Sequence, residues 1–580
     1  MKSEIRKNLL VIILVIAAVL RFWQLGQNPP GLTWDEAAWG YNAYAIGIDG
    51  RDEFGRFLPV DYLESFGDFK PPMYAYLTVI PVWLLGLNAF ATRFASALFG
   101  VMSVGVVYGL VGELFSGKTE NEFSSSRKKS IALAAAALLA ISPWHVNLSR
   151  AAFEANVASF FIVAGMWLFL RWIRLENGKM AGLGLLLSTA SLIASVYTFN
   201  TARVVAPALF ILLAARFYRV LWKRRWVVLP VFLVGFILCL PFIRFMFTPM
   251  AQLRYREVNI FSDLDVIERT NVTMQRDAQW WCSVGANTGC DSGNLPVPLW
   301  SRLINNRRIA YSILYVKHYL DHFNPAFLFI NGDGNPKFST QDVGQLYLWE
   351  LPFLIIGTFF LLRNRPGYWW ILPVWLLIGI APAAFARETP HALRIETTLP
   401  VWQVVTAIGF VEFYAMLTAS RIVKWRPGAL NVIIILVALG LGGNVLYYLH
   451  GYYTHYPQEY SREWQYGYEE AVAFAESHTE FDQVVFSTVL GRPYIYALFY
   501  SRTDPREFRR TAVVDREVYG FVHVRSFGRY QFTDSPSSVY YPRTVRVVYF
   551  DLLSRLPTRA SILQKFNLLN GETTLIAYQR

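Results

Sequence analysis

Two adjacent carboxylates, Asp35 and Glu36, stand in the stretch GLTWDEAAWG just after the first apolar segment of this 580-residue chain. Ionisable groups at the edge of hydrocarbon are rare and usually functional. Neighbouring helix positions point about 100° apart, so only one of the two can face a given site. Thr33 and Glu36 have the Thr-x-x-Glu spacing of a capping box. That gives Glu36 a structural use and leaves Asp35 for chemistry. Lys70, in DFKPPMYAYL, precedes two prolines that set an extended entry and then permit a helix to begin. An ammonium at a helix N-terminus suits a phosphate. Further candidates are Arg93 in ATRFASALFG, then His145, Arg150 and Glu154 in SPWHVNLSRAAFEAN, and Arg203 in YTFNTARVVAP. The stretch ARETPHALRIETTLP adds Arg387, His391, Arg394 and Glu396. Taken singly, each arginine reads as an interface anchor and Lys70 as a snorkelling side chain. Together they place a few acids among several cations, the charge pattern that suits a reaction with a phosphate leaving group.

The elements that must carry these residues are apolar. The chain is 54% hydrophobic and 16% charged, where a soluble domain carries about 25% charge. Aromatic residues make up 16%, as interfacial belts require. The net charge of +13 does not point to nucleic acid, because the bases sit in short clusters between apolar runs. Those clusters are Lys118 with Arg127, Lys128 and Lys129; Arg171, Arg174 and Lys179; Arg216, Arg219 and Lys223 to Arg225; Arg363 and Arg365; and Arg421, Lys424 and Arg426. Cytoplasmic loops have this signature.

Apolar runs long enough to span fall at 8–25, 94–114, 131–144, 156–173, 181–198, 203–218, 227–247, 347–362, 369–386, 397–417 and 430–450. With the N-terminus cytoplasmic, every basic cluster then lies inside. The first outer loop (26–93), a second large one (248–346) and everything after 450 lie outside. Residues 72–87 are apolar but short, and a span there would place SRKKS outside. They are read as a helix lying in the outer interface. The expectation is an all-α polytopic bundle over 1–450 with about eleven transmembrane helices and interfacial helices in the first outer loop. A small extracytoplasmic α/β domain follows over 451–580, where EEAVAFAESH reads as a helix and DQVVFST, TVRVVYF and TTLIAYQR as strands. The first loop carries eight acids against three bases over 26–72. The basic-flanked N-terminal apolar run has no small-residue cleavage site and reads as a retained helix. Cys239 reads as a core residue, while Cys282 and Cys290 in CSVGANTGC suit an extracytoplasmic disulfide. No zinc-ligand spacing is present.

The ordered set WDE, FKPP, TRFASALFG, SPWHVNLSR and PHALR resembles the polyprenyl-phosphate-sugar-dependent membrane glycosyltransferases of the GT-C fold class. These are the protein O-mannosyltransferases and lipid A aminoarabinose transferases, glycosyltransferase families 39 and 83. The resemblance covers the first 220 residues well and the 387–400 loop in part. It implies transfer of a sugar, with inversion, from a polyprenyl-phosphate donor to a lipid, glycan or protein acceptor. The reaction would run on the outer face of the plasma (inner) membrane, with no metal or other cofactor. By the same resemblance Asp35 is the general base, with Glu36 and Glu154 the other catalytic acids. Lys70 meets the donor phosphate, with Arg203, His391 and Arg394 as further substrate-binding residues; Arg93 and Arg150 are counted with these or order the loop by pairing with Asp35, Glu36 or Glu154. Glu154 departs from the Asp that relatives carry near this position. A flippase of a lipid-linked intermediate would place charges mid-span, whereas here they cluster at outer span ends. A diphosphate-dependent oligosaccharyltransferase would show a WWD-type motif, and the tandem tryptophans here are WWC and WWI.

Overall fold

The structure, a computed structural model, describes residues 2–116, 123–175, 181–252, 259–284, 295–420, 427–517 and 522–580. The Cys282–Cys290 expectation falls outside them, because Cys290 does. Helices occupy all eleven apolar runs. They are α1 (Lys2–Phe22), α4 (Ala89–Leu114), α5 (Ser125–Ile141), α7 (Glu154–Arg174), α8 (Ala181–Val196), α9 (Ala202–Arg216) and α11 (Arg225–Met246), then α15 (Glu350–Asn364), α16 (Ile371–Ile380), α17 (Leu399–Ala419) and α18 (Pro427–His450). Among the described residues, five helices are long and apolar enough to cross a membrane. A sixth candidate is the pair α5 and α6 (Pro143–Arg150), bent by 54°. A count of eleven is therefore not reached by length. Met73–Leu85, Gly182–Val196 and Ile371–Phe385 are apolar but shorter. Pro143 marks the bend in the α5–α6 pair, where Ser142 caps the new helix through the His145 N–H at 3.4 Å.

Between α1 and α4 the first loop folds into α2 (Trp34–Asp49), the hairpin β1 (Leu63–Ser65) with β2 (Asp68–Lys70), and α3 (Met73–Leu85). The large loop after α11 carries α12 (Leu264–Ser283), α13 (Leu299–Ile304) and α14 (Arg307–Asp321), while α10 (Tyr218–Lys223) joins α9 to α11. Most of the buried core runs through α1, α4, α5, α7, α8, α9, α16 and α17.

The C-terminal region is a seven-stranded sheet in the order β4-β5-β6-β3-β7-β9-β8. Central β3 (Gln483–Ser487) runs parallel to β6 (Tyr530–Thr533) and β7 (Val547–Asp551). The antiparallel strands are β4 (Val513–Arg516), β5 (Val522–Phe527), β8 (Ser561–Asn567) and β9 (Thr573–Gln579). Phe486 stacks on Phe550 at 4.2 Å beneath α19 (Tyr468–Ser477) and α20 (Pro493–Ser501). The helix and three strands read from the sequence are all present; β4, β5, β6, β8, α20 and α21 (Pro505–Thr511) were not anticipated.

This sheet domain holds the first loop. Arg509 pairs with Asp49 and Arg516 with Glu64, and the Arg492 guanidinium lies 4.2 Å from the Phe66 ring centre. The Val522 N–H donates to the Phe66 carbonyl at 3.2 Å. Helix α2 packs so closely that a Cβ on Gly40 would come within 2.5 Å of the Phe499 ring. The acidic excess of the first loop is thus met by arginines from the far end of the chain.

Candidate active site

Thr33 caps α2, and both hydrogen bonds of the capping box are formed. The Glu36 carboxylate is fully buried. Its Oε1 accepts from Arg93 Nε at 2.8 Å and from the Ala152 N–H at 2.9 Å, and its Oε2 accepts from the Thr33 N–H at 3.0 Å. Arg93 also donates to the carbonyls of Leu25, Pro29 and Gly31. Arg150 donates to the carbonyls of Leu20 and Asn28 at 2.8 Å each, and to the Tyr452 hydroxyl at 3.1 Å. Glu36, Arg93 and Arg150 are therefore clamps on the turn between α1 and α2. For Glu36 this is the capping role its spacing offered, and for Arg93 the loop-ordering pairing with an acid that the resemblance also allowed; the polar atoms of the three meet backbone, one another and, for Arg150, the Tyr452 hydroxyl. His145 is likewise engaged, its Nδ1 lying 2.5 Å from Arg21 Nη2. Gly31 has φ +81°, and a Cβ there would lie 2.5 Å from the Trp464 carbonyl, so the turn needs glycine.

Asp35, one residue from Glu36, points elsewhere. Its side chain is 49% exposed and pairs with the Lys70 ammonium, itself 9% exposed. Lys70 reaches this place from the end of β2, with its Nζ 5.2 Å from the Trp39 ring centre and 5.4 Å from that of Phe66. The ammonium thus has two aromatic faces beside it as well as Asp35. Glu154, first residue of α7, lies within electrostatic reach of Lys70, Asp35 and Asp68. Asp68 in turn faces Arg203. The Arg203 guanidinium rests 5.2 Å from the Phe242 ring centre, and its buried Nη2 has no hydrogen-bond partner. The Met73 N–H donates to the Tyr197 carbonyl at 3.0 Å, tying the start of α3 to the segment before Arg203. The structure thus gathers Asp35, Lys70, Glu154 and Arg203 from four separate segments.

His391 and Arg394 form a second group. His391 Nδ1 lies 4.0 Å from Asp333 Oδ2, and its backbone N–H donates to His322 Nε2 at 3.3 Å. Burial, helped by Arg394 and His322, pushes the His391 pKa well below the usual 6.5 and keeps the ring neutral. Burial also raises Asp333 to about 6 and lowers His322 to about 4. Arg394 donates to the Glu388 carbonyl at 3.0 Å. Phe338 links the two groups, its ring in tilted contact with His391 at 4.8 Å and with Phe153, the neighbour of Glu154, at 5.4 Å.

Three residues near the first group were not singled out from the sequence. Asp68 stood in the same DFKPP stretch as Lys70 and offered a signal. Lys337, 5.4 Å from the Trp34 ring centre, and Arg492 offered none, because each arrives from a distant segment. Among the described residues no group of three or more His, Cys, Asp or Glu side chains is placed to hold a metal ion.

With that geometry in hand, comparison with known proteins gives three results. Residues 69–245, which include Lys70, Glu154 and Arg203, match the dolichyl-phosphate-mannose-protein mannosyltransferase family. No curated protein matches the chain. Among solved structures, ArnT from Cupriavidus metallidurans in the apo state superposes with a TM-score of 0.52 at 12% identity, over 98% of each chain. The same protein bound to undecaprenyl phosphate gives 0.51 at 11% identity, over 98% of this chain and 97% of that one. The archaeal oligosaccharyltransferase AglB from Archaeoglobus fulgidus, in complex with an inhibitory peptide and a dolichol-phosphate, gives 0.50 at 15% identity over 86% of this chain. This chain spans 64% of the length of AglB. At such identities the likeness establishes a fold. The fold is that of the GT-C membrane glycosyltransferases, and residues 69–245 within it carry the match to the dolichyl-phosphate-mannose-protein mannosyltransferase family.

Proposed function

We propose that this protein moves a sugar from a polyprenyl-phosphate donor to an acceptor on the extracytoplasmic face of the membrane. The observation that carries the reading is the meeting of Asp35 with Lys70 in an aromatic frame beside Arg203 and Glu154. Asp35, half-exposed, takes the proton from an acceptor hydroxyl or amine as that group attacks the anomeric carbon. The bond from that carbon to the phosphate oxygen breaks on the opposite side, so configuration inverts. The polyprenyl phosphate departs with the electron pair. Lys70 and the unpartnered Nη2 of Arg203 receive its charge, with Glu154 setting the local field. The reading calls on no metal ion. The undecaprenyl phosphate on ArnT and the dolichol-phosphate on AglB support a lipid phosphate as the donor's leaving group here. The N-terminus then faces the cytoplasm and the sheet domain lies outside, in a bundle of about eleven passes whose shorter helices cross in thinned or protein-lined regions. Asp35→Asn tests the assignment. Transfer falls at least about a hundredfold while binding of undecaprenyl phosphate persists, and wild-type turnover in that variant rules the role out.

A further inference from the structure

Helix α14 in the large outer loop is apolar on two opposite faces. Its inner face is taken. Tyr311 is buried, and His318 Nδ1 bonds the Ala386 carbonyl at 2.9 Å. His322, just beyond the helix, accepts from the His391 N–H at 3.3 Å. Thr389 donates to Asp321 Oδ2 at 2.9 Å. The outer face bears Ile309, Ile313, Val316 and Leu320, which are 45%, 65%, 53% and 59% exposed. Spaced i, i+4, i+7 and i+11, they form one stripe along the helix. No acid lies between Arg307 and Leu320, while Arg308 and Lys317 stand exposed on the two flanks of the stripe.

The stripe continues an apolar surface of the bundle. Tyr319 and Tyr315 donate to the carbonyls of Leu377 and Ala381 at 3.0 and 3.3 Å, lashing α14 along α16. Leu377 of that apolar helix is itself exposed, as is Phe385, whose ring lies 4.5 Å from Tyr315. Leu299, Leu303 and Ile304 of α13 are exposed as well, beside the Trp280–Trp300 edge-to-face pair at 6.4 Å.

We propose that α14 is seated in the outer leaflet, with its stripe among the acyl chains and Arg308 and Lys317 reaching the lipid phosphates. The bilayer then acts as the second wall of the segment that carries His391, since the opposite face of the same helix holds residues 386–391. This inference does not depend on the catalytic role of Asp35, and its test reads lipid contact, not turnover. Spin labels are placed on Ile313→Cys, Val316→Cys and, as an aqueous reference on β8, Lys565→Cys, each in a full-length Cys239→Ser chain. The proteins are held in nanodiscs of phosphatidylcholine and phosphatidylglycerol. Labels at 313 and 316 relax with molecular oxygen and resist a water-soluble nickel chelate, with an oxygen-to-nickel ratio several-fold above that at 565. Nickel access at 313 equal to that at 565 overturns the proposal by placing the face in water. Shielding from both reagents overturns it by placing the face against protein.

Discussion

At the scale of single residues, adjacent acids have opposite fates because the helix turns about 100° between them. Glu36 is spent on the capping box and Arg93, so Glu36→Gln acts on stability. Removing the charge from one partner of a buried ion pair strands the other, a loss of about 3–5 kcal/mol, read as a fall in the unfolding midpoint of the purified protein. Lys70→Ala acts on the donor instead. Loss of one charge-assisted contact to phosphate weakens binding of undecaprenyl phosphate roughly 10- to 100-fold, and an unchanged dissociation constant removes Lys70 from the phosphate site. The capping box was legible in the sequence because its two members lie three residues apart and any helix brings them together. The family likeness placed Asp35 and Lys70 in one site, but their pairing was not read from the sequence, since 35 positions separate the two. That Arg93 and Arg150 bond backbone carbonyls was not legible at all, because an arginine's partners depend on how the chain folds back on it.

At the scale of elements, α2 is held from two sides. Asn42 donates to Glu53 Oε2 at 3.1 Å, and Tyr494 from the sheet domain donates to Glu53 Oε1 at 3.2 Å. Burial, with the charge of Asp52 second, pushes the Glu53 carboxyl up to about 8 from an ordinary 4.5. Asp52 is raised in the same direction, again chiefly by burial. A raised acid binds its proton more tightly folded than unfolded. Its contribution is therefore present below about pH 4.5 and lost as pH climbs through about 8. Thermal unfolding across that window falls with rising pH in the wild type, and Glu53→Gln flattens the slope; an unaltered slope discounts Glu53. Helices were the easiest elements to read, since each apolar run repeats one signal many times over. Strands β4 and β8 escaped because neither alternates between buried and exposed positions, β4 having no buried residue and β8 a single one. The number of crossings escaped for a related reason. Composition marks a run as apolar without saying where Pro143 bends it or how early a helix such as α16 stops.

At the scale of the whole molecule, the sheet domain is a brace for the first loop as much as a cover. Arg509→Ala with Arg516→Ala leaves Glu64 without its arginine and Asp49 with only the longer pairing to Arg506 at 3.8 Å, so limited proteolysis between β1 and α3 speeds up and the unfolding midpoint drops. A double variant as resistant as the wild type shows that the uncharged contacts, among them Gly40 on Phe499 and Tyr494 to Glu53, hold the loop without the ion pairs. Lys337 from the large loop after α11 and Arg492 from the sheet domain converge beside Trp34 and Phe66, so the first loop has neighbours from two distant parts of the chain.

The pairs Asp49–Arg509 and Glu64–Arg516 join residues 460 and 452 apart in the chain. A ribosome adding 5–20 residues each second needs roughly 20–90 s to travel that far. Throughout that interval the first loop has already left the translation machinery while these two arginine partners do not yet exist. The half-made protein therefore carries Asp49 and Glu64 without these arginines, and the first loop gains its brace only when the final eighty or so residues arrive. A chain cut short near its end is, by this order of events, an open loop on an otherwise finished bundle.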